Sequence, residues 1–130
     1  MAHSRVGGVL QAQGKLEAAQ AAFAEYLAIN RRLVEQDPSN ADWQRGLGLA
    51  CLRIARLDAK IGRNDVALPL YEESYRIFAV LVEQAPGFVQ WAEDKKIIEV
   101  ELALCRSQLS HSKDKDWLSW IQRLLRFSSR

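Results

Sequence analysis

The run Leu33-Val34-Glu35-Gln36-Asp37-Pro38, with Trp43 five residues on, returns as Leu81-Val82-Glu83-Gln84-Ala85-Pro86 and Trp91. The offset is 48 throughout, and it extends outward: Gly14 matches Gly62, Ala19 matches Ala67, Phe23 matches Tyr71, Glu25 matches Glu73 and Ile29 matches Ile77. Repetition at a fixed spacing of this order is the mark of a stacked array, in which no unit buries its apolar face alone. Such an array is a binding scaffold whose client is set by surface detail.

Apolar residues recur at helical spacing almost everywhere. Residues 16–36 place Leu16, Ala19, Phe23, Tyr26, Leu27, Asn30, Leu33 and Val34 on one stripe, and the matching segment offers Val66, Ala67, Leu70, Tyr71, Tyr75, Phe78, Leu81 and Val82. Residues 40–61 carry Trp43, Leu47, Ala50, Ile54, Leu57 and Ile61 at strict 4-3-4-3-4 spacing. Breakers fall where turns are needed: Gly14 and Gly62 at one kind, Pro38 and Pro86 with Gly87 at the other. Ser39 with Asp42 three residues on resembles a capping box, and Asn64 is placed to cap the helix after Gly62. The expectation is an all-α chain of about six helices, over 3–13, 15–37, 40–61, 64–85, 88–109 and 114–127. Pro69 falls about a turn inside the fourth, where a missing backbone donor should tilt or loosen the helix start.

Composition narrows the function classes. A chain of 130 residues with 48% hydrophobic content fits one continuous core. Residues 1–112 carry 13 basic and 14 acidic side chains, whereas 113–130 carry Lys113, Lys115, Arg123, Arg126 and Arg130 against Asp114 and Asp116. A nearly neutral body with a small basic tail argues against a nucleic-acid partner. Cys51 and Cys105, 54 apart and off the repeat register, read as small buried hydrophobes in a reducing, cytoplasmic setting. No stretch has the length of a membrane span, and no signal-peptide pattern opens the chain. His3 and His111 lack ligand-spaced companions, and no phosphate loop, Cys-x-x-Cys or nucleophile elbow is present. No enzyme activity, cofactor or metal is expected.

A turn glycine followed by Ala five residues on and an aromatic four later resembles the tetratricopeptide repeat; the matches are Gly14, Ala19, Phe23 and Gly62, Ala67, Tyr71. The family places a small residue seven before the turn glycine, where paired helices touch; Gly7 and Ala55 occupy it, with Ala103 in register. The repeat here is 48 residues against the family's common 34, the extra length lying in the second helix. The phrase Asp42-Trp43-Gln44-Arg45-Gly46-Leu47 is similar to long-repeat bacterial arrays. The third copy keeps Trp91, but Lys95 replaces Leu47 and Ser110 replaces the turn glycine. The first copy begins mid-helix, so the chain reads as the last units of a longer array or a small protein built from them.

The resemblance implies a right-handed α-solenoid of antiparallel helix pairs. Residues 1–112 would form about two and a half repeats, and first helices of each pair would line a concave groove. Transferring that register puts Leu49, Leu52, Arg53, Arg56 and Lys60 in the groove beside Ile97, Val100, Leu104 and Gln108, an apolar strip with basic rims suited to an acidic or amphipathic segment. The plainer alternative is that Leu52, Val100 and Leu104 pack on neighbouring helices. Residues 113–130 read as a C-terminal amphipathic helix, with Trp117, Trp120, Ile121, Leu124 and Leu125 on one face. It is expected to fold back as a cap, the alternative being a basic helix on a membrane or in a partner's groove. The function implied is a non-catalytic scaffold for a protein or peptide partner. Self-association and membrane attachment through 114–127 are the alternatives.

Overall fold

A computed structural model describes residues 16–128, which are helical apart from short turns and contain no strand. The expected helix over 3–13, and with it Gly7 and Gly14, lies outside the described residues. The helices are α1 (Leu16–Gln36), α2 (Ala41–Lys60), α3 (Asn64–Gln84) and α4 (Val89–Ser128). Each packs against the helix before it, joined by turns of three or four residues that force antiparallel neighbours.

The turns explain the boundaries. Gly62 adopts φ +84°, the left-handed conformation that a residue with a Cβ resists. The Gly62 N–H then donates to the Ala59 carbonyl at 3.1 Å, and the Arg63 N–H to the Asp58 carbonyl at 2.8 Å. These two bonds satisfy the last carbonyls of α2 in a Schellman cap. The proline turns repeat each other at the offset of 48. Asp37 N–H donates to Leu33 and Asn40 N–H to Asp37; Ala85 N–H donates to Leu81 and Phe88 N–H to Ala85. The cap of α2 differs from expectation. Asn40, not Ser39, accepts from the Trp43 N–H at 3.1 Å, while the Ser39 hydroxyl donates to Asp37 at 2.6 Å. Asn64 is the first residue of α3 rather than its cap, and Arg63, at the cap position, supplies no side-chain acceptor. Pro69 sits exposed within an α3 that is continuous from Asn64 to Gln84.

The predicted stripes are the buried faces. Ala19, Phe23, Tyr26 and Asn30 are buried on α1, and Ala67, Tyr71, Phe78 and Leu81 on α3. A larger cluster joins Leu52 and Ala55 of α2, Phe78 and Leu81 of α3, and Ile98, Leu102 and Cys105 of α4; a smaller one joins Ala19 and Phe23 to Leu57. Helix α2 therefore buries two sides, which adds Gly48, Cys51, Leu52, Ala55 and Asp58 to its single expected stripe. At Gly48 the α2 backbone runs so close to α3 that a Cβ would lie 2.7 Å from the Phe78 ring. The Gly48 carbonyl accepts the buried Ser74 hydroxyl at 2.8 Å. Trp43 and Trp91 hold equivalent half-buried places, each the third residue of its helix, and Trp91 lies 4.6 Å from the Phe88 ring.

The expectations for the C-terminal part fail. The turn after residue 109 and a separate helix over 114–127 are not there, because α4 runs unbroken for 40 residues. Ser110 stands where Gly62 makes its left-handed turn, and neither glycine nor proline occurs between Val89 and Ser128. With no residue suited to that turn, the helix continues. The tail is thus no folded-back cap: Trp117, Trp120, Leu124 and Leu125 are all more than half exposed, and Ile121 is half-buried. Ala103 is corrected by the same cause. It is exposed although Ala55, its equivalent, is wholly buried, since no following helix turns back against it.

Candidate functional site

The expected groove residues divide into three groups. Leu52 is 5% exposed and belongs to the core between α2, α3 and α4, so it lines no groove; α2 is flanked on the side where Leu52 projects. Leu49 is half-buried against the same cluster. Arg53 turns toward α1 instead: its guanidinium lies 5.7 Å from the Tyr26 ring centre and donates to the Tyr26 hydroxyl at 3.4 Å.

Arg56 is held by an acidic partner. It makes a bidentate pair with Glu101 of α4, at 2.8 Å from Nε and 2.6 Å from Nη2, and the Tyr71 hydroxyl of α3 donates to the same carboxylate at 3.3 Å. The arrangement recurs one helix earlier. Arg31 of α1 pairs with Glu73 of α3 at 2.7 and 2.8 Å, and the Cys51 thiol of α2 donates to Glu73 at 3.4 Å. In each node an arginine from one helix, a weak donor from the next and a glutamate from the third meet, tying three consecutive helices together. The bidentate fork fixes orientation as well as distance.

The charges respond accordingly. The hydrogen bond from Arg31 holds the Glu73 carboxyl below the usual glutamate range. Hydrogen bonds to Glu73 and Glu101 raise Arg31 and Arg56 respectively. Burial, reinforced by Glu73, pushes the Cys51 thiol up to about 12; burial, reinforced by Glu101, pushes the Tyr71 phenol up to about 12. Burial also raises Cys105. A thiol held so firmly protonated is no nucleophile near neutral pH. These nodes are structural, and sequence reasoning missed them because Arg31 and Glu73 lie 42 residues apart, and Arg56 and Glu101 45 apart, rather than at the repeat offset.

The third group does come together. Lys60 from the end of α2 and Leu104 and Gln108 from α4 line one open cleft of about 480 Å³, with Asn64 and Tyr71 of α3 forming its far wall. Glu101 closes its side, already engaged by Arg56. Next to Leu104 along α4, Val100 and Ile97 are each at least half exposed, on the side away from the buried Ile98, Leu102 and Cys105. Lys95, the departure from the repeat pattern, places its ammonium 5.7 Å from the Tyr75 ring centre, so a charged head replaces an apolar contact without entering the core.

What remains is an apolar edge of α4 beside a cleft with one basic rim residue, Lys60. Among the described residues, no group of three or more His, Cys, Asp and Glu side chains is placed to hold a metal ion. Among them, too, no helix is long and apolar enough to cross a membrane. No protein-family model, no curated protein and no solved structure matches the chain.

Proposed function

We propose that the chain is a non-catalytic protein-interaction scaffold, a right-handed stack of tetratricopeptide-like helix pairs that offers its α2/α4 side to a partner segment. The observation that carries this reading is the exposed edge Ile97, Val100 and Leu104 running into the cleft of Lys60 and Gln108. The equivalence of Ala19 with Ala67, Phe23 with Tyr71 and Trp43 with Trp91 in burial, and of the two proline turns in hydrogen bonding, supports the repeat reading. The Arg–Glu nodes hold successive helices in fixed relation, so the face is organised before a partner arrives and little ordering is required on the scaffold side. Two free, buried thiols suit a reducing cytoplasm.

The partner best matched is an amphipathic helix, its apolar face on α4. The test is retention of binding partners by immobilised chain, compared with Val100→Asp/Leu104→Asp. Both positions are exposed, so the helical spectrum should be unchanged while a specific partner is lost. A partner retained equally by the double variant would place the surface elsewhere.

A further inference from the structure

We infer that the chain pairs with a second copy of itself, α4 against α4 in antiparallel orientation. The inference deepens the scaffold reading and rests on it, since the seam includes the open edge of α4 described above. Along that helix Ile97, Leu104, His111, Leu118 and Leu125 recur every seventh residue, and Val100, Ser107, Asp114 and Ile121 lie three residues after the first four. A sevenfold repeat over four heptads, apolar at six of these nine positions and polar only in the middle at 107, 111 and 114, is the pattern of a helix that winds about another helix. Its apolar members Ile97, Val100, Leu104, Leu118 and Leu125 are at least half exposed, whereas the neighbours Ile98, Leu102 and Cys105 bury against α3. Thus α4 has one face committed within the chain, while Ile97, Val100, Leu104 and Leu118 of a second, sevenfold face are exposed.

The order of sizes along the seam specifies the occupant. The middle of α4 carries small side chains (Ala103, Ser107 and Ser110), and its last third carries bulky ones (Trp117, Leu118 and Leu124). Two copies aligned antiparallel about the midpoint between residues 112 and 113 place Ser107 across from Leu118, Leu104 across from Ile121 and Val100 across from Leu125. Ala103 then flanks Leu124, and Ser110 flanks Trp117, so small meets large on both sides of the centre. Parallel alignment would set Trp117 beside Trp117 and Ser107 beside Ser107, crowding one end and leaving voids at the other. Polar residues at central seam positions weaken such a pair but fix its register. The second copy's last turns would lie along the cleft of Lys60 and Gln108.

Sedimentation of the full chain from micromolar to hundreds of micromolar should show a monomer–dimer equilibrium. Leu104→Glu and Leu118→Glu should each weaken dimerisation by roughly tenfold or more with unchanged helicity. Orientation is read by mixing two single-cysteine variants under mild oxidation. Ser107→Cys with Leu118→Cys should cross-link between copies; Ser107→Cys alone should not, and its ready cross-linking would overturn the antiparallel alignment. The native thiols, Cys51 and Cys105, are buried and do not compete. A chain that stays monomeric at every concentration overturns the inference; if it still loses another partner on Leu104→Glu, the scaffold reading stands alone. A monomer that instead co-sediments with phosphatidylserine vesicles through Trp117 and Trp120 also overturns it, assigning the tail to a membrane surface.

Discussion

At the scale of single residues, the two Arg–Glu nodes make the chain's pH dependence predictable in sign. The native Glu73 carboxyl is held below its ordinary range, so its contribution is complete above the unfolded value near ~4.3 and is lost as pH falls through the lower native one. The Arg31 side chain is 43% exposed, which limits the pair to about 1 kcal/mol or less. Glu73→Gln should therefore lower the urea midpoint slightly at pH 7 and flatten its fall toward pH ~3.5. On the alkaline side the sign reverses. Cys51 and Tyr71, both at about 12 when folded, ionise earlier in the unfolded chain, near ~8.5 and ~10. Stability is whole below those values and erodes as pH rises toward 12. Alkylation of Cys51 should accordingly follow global unfolding. Modification as fast as that of a free thiol in the native protein would show the node to be open.

Packing at individual sites divides the small residues. Ala55→Leu should cost roughly 1–3 kcal/mol, because the site is wholly buried between helices, whereas Ala103→Leu on an exposed face should fall within about 0.5 kcal/mol of wild type. Denaturant midpoints of the two variants check the contrast directly. Register alone made these positions equivalent, and only the presence or absence of a covering helix separates them. Leu52 was legible only as the plainer alternative to a groove position, and Gly48 not at all. A single apolar stripe accounts for one packed side, and α2 has two, so five of its eight buried residues fell outside that stripe. The Arg–Glu nodes join helices two apart in the chain, and no periodicity within one helix points to them.

The elements themselves were more legible. Glycine and proline turns at an offset of 48 located the boundaries of α1, α2 and α3 to within a residue or two, since a left-handed glycine or a proline acts locally. The end of the α4 body was misplaced because the repeat register carries the turn of Gly62 to position 110, where Ser110 stands in place of the glycine. Register alone does not stop a helix; a residue able to leave the helical region does. Ser110 is the position where this can be tested. Ser110→Gly should restore a residue permitted in the turn conformation, at a cost of about 0.5–1 kcal/mol to the continuous helix. Amide exchange should then accelerate from residue 110 onward and remain unchanged in α1 to α3. Uniform protection across position 110 in the variant would mean that more than the missing glycine keeps α4 straight.

For the whole molecule, the exposed tail reverses what a cap would do. Under dilute conditions, deleting residues 113–130 should leave the melting temperature of the remaining helices within a few degrees of wild type, because the large side chains described there are mostly in solvent. A steep loss of stability would show that those residues cover the core after all. Shape also follows from α4. At about 1.5 Å per residue the helix is roughly 60 Å long, about twice the ~30 Å of each of the other three. Such a particle drags through water more than a sphere of its mass, and it reorients more slowly about its short axes than about its long one. Fluorescence depolarisation from the far-end indoles of Trp117 and Trp120 should therefore contain a slow component longer than a compact 14.8 kDa body allows.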